Sequence, residues 1–122
     1  MKILIVIVTL IFSLSAFTQS ARQRMDRAEI DHLVIMAKHL ARKDLSCMHA
    51  SDCHILPIGS RACGGPSDYL KTSRFNVNLH EIERIASRAT HKEERYNERY
   101  RVVSPCTVML PPEPNCVKRQ CR

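Results

Sequence analysis

The 122-residue sequence has no Trp, three Phe, three Tyr and three Gly. So few aromatics exclude a core built on large rings and leave little on which unpaired bases stack, so there is no strong nucleic-acid signal. So few glycines argue against phosphate-cradling loops, and neither G-x-S-x-G nor H-E-x-x-H occurs. Twelve scattered acids do not pick out a carboxylate pair for glycoside chemistry. Charge is missing entirely between Lys2 and Arg22.

That uncharged stretch decides which residues count as structure. Met1-Lys2 precedes an apolar run from Ile3 to Phe12, then Ser13, Ser15, Ala16, Thr18 and Ser20. This is the layout of a secretory leader over residues 1–20, cut between Ala16 and Ala21. The apolar run is shorter than the roughly 20 residues a spanning helix needs. No Cys near the cut offers a lipid attachment point. Residues 21–122 then form a single domain, secreted or periplasmic. Without Lys2, eighteen Lys and Arg face twelve Asp and Glu, a net +6 that suits anionic partners.

Six cysteines follow the leader: Cys47, Cys53, Cys63, Cys106, Cys116 and Cys121. An even number behind an export signal reads as three disulfides. The C-x2-C knuckles of zinc modules are missing, and so is the C-x-x-C pair of oxidoreductases. No metal or cofactor is expected. The sequence does not choose among the pairings. With three cysteines on each side of the long gap between Cys63 and Cys106, at least one bridge must cross it.

Two helices stand out. Asp26 and Glu29 are spaced as a capping box, and Ile30, Leu33, Val34, Ala37, Leu40, Ala41 and Leu45 share a face, which predicts a helix from Arg27 to Ser46. His32, His39, Arg42 and Lys43 lie on its outer side. A second helix is predicted to open at Asn78, with Glu81 as its capping partner, and to end near Arg101. Its apolar face holds Leu79, Ile82, Ile85, Ala86, Ala89, Tyr96 and Tyr100. Arg84, Arg88, Lys92, Arg95 and Arg99 form a basic stripe roughly 80° wide.

Cys53–Ile58 reads as a short strand that Pro57 confines to an edge. Cys106–Leu110 reads as a better strand, Pro111–Pro114 as a stiff turn, and Asn115–Cys121 as the returning arm. The fold class expected is α+β: two amphipathic helices packed on a small antiparallel sheet that gathers both Cys clusters, with three disulfides. Ile82, Ile85 and Ala89 should meet Leu33, Ala37 and Leu40 of the first helix.

Ser51-Asp52-Cys53-His54-Ile55-Leu56-Pro57, Ala62-Cys63-Gly64-Gly65-Pro66, Tyr69-Leu70 and Ser104-Pro105-Cys106 through Cys116 and Cys121 carry a resemblance. The chain resembles a family of uncharacterised exported bacterial Cys-rich proteins and lipoproteins, with a Cys-Gly-Gly-Pro loop and a C-terminal cysteine cluster flanking a helix. The resemblance covers Cys47 to Cys121 and implies fold and export, not an activity. The lipid-acceptor Cys of the lipoprotein members is missing here.

The histidines do not assemble a site on paper. His32 and His39 are separated by a helical rise of about 10 Å, too far for one ion. His49 and His54 straddle Cys53, and His80 and His91 have no evident partner; all read as solvated. The cysteines are consumed by crosslinks, so no enzyme is expected. The basic stripe Arg84, Arg88, Lys92, Arg95, Arg99 is a candidate anion-binding ridge, or a solvated face supported by pairs such as Glu81–Arg84. Pro57, Ile58, Gly59, Ser60 and Arg61, between Cys53 and Cys63, form a constrained candidate inhibitory loop. The reading is a monomeric binding protein for an envelope or extracellular protein or an anionic surface. The alternative is an inhibitor of an extracellular protease acting through the Cys53–Cys63 loop.

Overall fold

The computed structural model describes the backbone from Lys2 and the side chains from Thr18 to Arg122. The leader expected over residues 1–20 falls almost wholly outside the described side chains. Helix α1 spans Lys2–Ala41, and a short 3-10 turn follows at Ala50–Asp52. Strands β1 (Cys53–Ile58) and β2 (Asp68–Ser73), helix α2 (Leu79–Tyr100), and strands β3 (Cys116–Val117) and β4 (Gln120–Cys121) complete the order.

The two helices are antiparallel: Asp26 meets Arg99, Arg27 meets Glu93, and Glu29 meets Lys92 and Arg88. Their apolar stripes face each other as the periodicity requires. Leu33, Ala37, Ala41, Ile82, Ile85, Ala86 and Ala89 form one buried cluster with Ile58 of β1 and Leu70 of β2. Four of those nine residues are alanines, which lets the helix axes approach closely. The β1–β2 ribbon is antiparallel, pairing Cys53 with Ser73 and Ile58 with Asp68, and lies across both helices. The class is α+β, held by three disulfides.

All three bridges cross the long gap: Cys47–Cys116, Cys53–Cys121 and Cys63–Cys106. The first two form a second, largely buried cluster against which Leu45 packs. Each native bridge of this kind contributes about 2–5 kcal/mol in a small secreted domain. Three disulfides place the chain in an oxidising, extracellular-type environment. No helix among the described residues is long and apolar enough to cross a membrane.

Several boundaries differ from the sequence expectation. Helix α1 runs through Asp26 instead of starting there, because the Asp26 carboxylate accepts from Arg99 and Tyr100 across the helix pair. It ends at Ala41, not Ser46. Asn76 Nδ2 donates to the Leu40 and Ala41 carbonyls and Thr72 Oγ1 donates to the Ala41 carbonyl, so the helix end is satisfied by buried side chains. Helix α2 starts where expected, but its capping box does not form: Asn78 donates to Asn76, and Glu81 pairs with Arg84. Arg101 closes it in the left-handed conformation, donating to Asn97 and Glu98 carbonyls.

The single sheet expected is two ribbons, β1–β2 and β3–β4, and the latter bridges to Ser46 through Gln120. Cys106–Leu110 is not a strand. The C-terminal hairpin turns at Lys118 and Arg119, both with positive φ, not at Pro111–Pro114.

Candidate functional site

Helix α2 ends at Tyr100, and residues 102–115 carry no helix or strand. Fourteen residues without regular structure are uncommon inside a compact domain and mark either function or disorder. Disorder is opposed here by a set of fastenings. The Cys63–Cys106 disulfide ties the segment to the Cys-Gly-Gly-Pro loop. Cys63 N–H donates to Ser104 Oγ at 3.1 Å. The Arg61 guanidinium donates to the Thr107 carbonyl at 2.9 Å, to the Pro105 carbonyl at 3.2 Å and to Thr107 Oγ1 at 3.2 Å. Tyr69 Oη donates to the Met109 carbonyl at 3.2 Å.

The accepting carbonyls belong to residues 105, 107 and 109. A period of two is that of an extended chain, in which alternate residues turn their backbone groups to opposite sides. Arg61 and Tyr69 therefore occupy the place a neighbouring strand would fill. Val108, between two of the accepting residues, makes no backbone hydrogen bond among the described residues. Val108 is 83 % exposed and Leu110 77 %. The strand expected over Cys106–Leu110 is therefore not formed. The segment's partner is two side chains instead of a strand.

The loop Pro57–Arg61 is placed differently from a protruding inhibitory loop. Pro57 and Ile58 belong to β1, and Ile58 is in the core. Gly59 N–H donates to Thr90 Oγ1, and Ser60 N–H donates to the Glu93 carboxylate. Arg61, the last residue of that loop, turns onto the 105–107 backbone. The positive φ of Gly59 goes with a close approach: a Cβ there would lie 2.5 Å from Glu93 Oε2 and 2.7 Å from Ser67 Cβ.

Glu93 is the residue sequence reasoning missed. It is 6 % exposed and receives Arg27 Nη1 at 2.7 Å, Ser60 N–H at 2.8 Å and Ser67 Oγ at 2.8 Å. Burial alone pushes its carboxyl up; the Ser60, Arg27 and Ser67 donors outweigh that and hold it below its ordinary value. The signal was its position: four residues after Ala89 and three before Tyr96, Glu93 is an acid on the apolar face.

Most of the basic stripe faces carboxylates. Arg84 pairs with Glu81 at 2.7 Å, Lys92 with Glu29 at 2.8 Å, Arg88 with Glu29 at 3.7 Å and Arg99 with Asp26 at 2.9 Å. Arg95 is exposed and has no ion pair among the described residues. The Sγ atoms of Cys47, Cys53 and Cys121 lie within 4.8 Å of one another, but belong to two disulfides and offer no thiolate to a metal. His32 and His39 are exposed on α1, while His54 lies 3.7 Å from Glu83.

Comparison with protein-family models, with curated proteins and with solved structures gives no match.

Proposed function

We propose that this chain is an exported binding protein and that segment Ser104–Pro111 is the surface it offers to an envelope or extracellular protein. The observation that carries the reading is the clasp: an extended stretch with apolar side chains outward, fastened from behind by a disulfide, Arg61 and Tyr69. Such a stretch has already lost the conformational freedom that a loose peptide loses on docking, which otherwise subtracts from affinity. Val108 and Leu110 supply compact apolar anchors, and the unpaired edge supplies main-chain hydrogen bonds. The leader-like residues 1–20 and the three disulfides support export.

A photo-crosslinking residue placed at position 108, with exposed Lys43 as the control position, tests the reading in the oxidised protein incubated with envelope and extracellular fractions. A discrete adduct at 108, lost on Leu110→Asp and not seen at 43, is expected. Equal labelling at both positions, or none at 108, contradicts it.

A further inference from the structure

The partner's chemistry follows from which backbone groups the clasp leaves free, and this step rests on the binding reading above. We propose that Cys106–Pro111 is a substrate-like strand for the cleft of a serine endopeptidase with a small apolar primary pocket, and that Val108 fills that pocket.

A protease cleft reads an extended peptide by pairing with the main chain of alternate residues, as an added strand pairs with a sheet edge. The carbonyls of residues 105, 107 and 109 are held by Arg61 and Tyr69. That leaves residues 106 and 108 to face an enzyme, and these are two apart, as the pairing needs. The carbonyl presented between the two fastened residues is that of Val108. Val108 is 83 % exposed, and its small, β-branched side chain suits the small primary pocket of elastase-type enzymes.

Leu110 is also exposed, but Pro111 follows it. A proline nitrogen carries no hydrogen and its ring crowds the chain, so the 110–111 bond is a poor substrate. The 108–109 bond is the one presented.

The same fastenings explain why the strand would inhibit instead of being consumed. Hydrolysis adds one water across the Val108–Met109 bond, leaving a carboxylate on Val108 and an amine on Met109. Thr107 stays tied to Arg61 and to the adjacent Cys63–Cys106 bridge, and Met109 to Tyr69. The new ends are held together in the cleft, where the bond can reform, instead of diffusing apart. Arg61 is thus a positioning residue, not the residue that enters the pocket.

The test uses the oxidised full-length exported protein against elastase, chymotrypsin and trypsin, with Val108→Lys and Val108→Asp as variants. Because Val108 is exposed, both variants should melt as the parent does, which thermal unfolding checks first. Expected results are inhibition of elastase, a loss of about a hundredfold or more in Val108→Asp, and transfer of inhibition to trypsin in Val108→Lys. Mass spectrometry should find nicked protein heavier by one water, cut only after residue 108. No inhibition of any of the three enzymes, or inhibition unchanged in both variants, overturns the proposal. If a crosslinked adduct at position 108 persists while no protease is inhibited, the edge serves another strand-accepting partner and only this inference fails. Loss of both removes the binding reading as well.

Discussion

Arg27 and Glu93, sixty-six residues apart in sequence, join α1 to α2 through a 2.7 Å ion pair whose carboxylate is buried and whose guanidinium is 43 % exposed. The second Glu93 oxygen receives Ser60 N–H and Ser67 Oγ, so a single side chain fixes both the helix pair and the β1–β2 connection. That connection carries Arg61, which holds the 105–107 backbone. The fold's interior and its exposed strand are thereby linked through one acid.

Acid should expose this dependence. The folded Glu93 carboxyl titrates below its ordinary value of 4.5. Its contribution is therefore fully present above about pH 4.5 and is lost as pH falls through the depressed folded value. Glu93→Gln should lower stability at neutral pH by about 1–3 kcal/mol, since Arg27 and two donors lose their charged acceptor. Denaturant unfolding of the two proteins should converge as pH falls through the depressed folded value. A constant difference across that range would show that the charge on Glu93 is not what stabilises the contact.

Gly59→Ala tests the close approach beneath the loop. The added methyl meets Glu93 and Ser67 and sits at φ +79, so both space and backbone oppose it. A loss of about 1–3 kcal/mol is expected by thermal unfolding. Gly64→Ala has positive φ but open space around it and should lose less. Equal losses would assign the whole effect to backbone conformation.

The basic stripe should divide by partner. Lys92→Glu places a like charge against Glu29 and should lower stability by about 0.5–1 kcal/mol, whereas Arg95→Glu should leave it unchanged. Raising salt should shrink the difference, because these charges are partly exposed. If Arg95→Glu destabilises as much as Lys92→Glu, the stripe is not a row of paired cations with one left over.

The helices were legible because a 3.6-residue repeat has one physical cause, an apolar face needing burial, and Ile82, Ile85 and Ala89 do meet Leu33 and Ala37. That some bridge spans Cys63 and Cys106 was legible from counting alone. Helix ends were not. Asp26 looks like a cap whether it caps or reaches across to Arg99 and Tyr100, and nothing local announces that Asn76 closes α1 from 35 residues away. Strand β2 was missed because only Leu70, Thr72 and Ser73 of its six residues are buried, and two of those are polar. Arg61 was legible only as a member of the constrained Cys53–Cys63 loop. Its role depends on a disulfide pairing and a loop that only the fold brings together.

The clasp itself is open to one direct measurement. Replacing Cys63 and Cys106 with Ser together removes the covalent fastening without leaving a free thiol, while Cys47–Cys116 and Cys53–Cys121 still hold the core. Amide hydrogen exchange should leave α1, α2 and β1–β2 as protected as in the parent, and crosslinking from position 108 should fall about tenfold or more as the strand loses its fixed form. Undiminished crosslinking at 108 in a protein whose 102–115 segment has become freely exchanging would contradict the claim that a pre-organised strand is the binding surface.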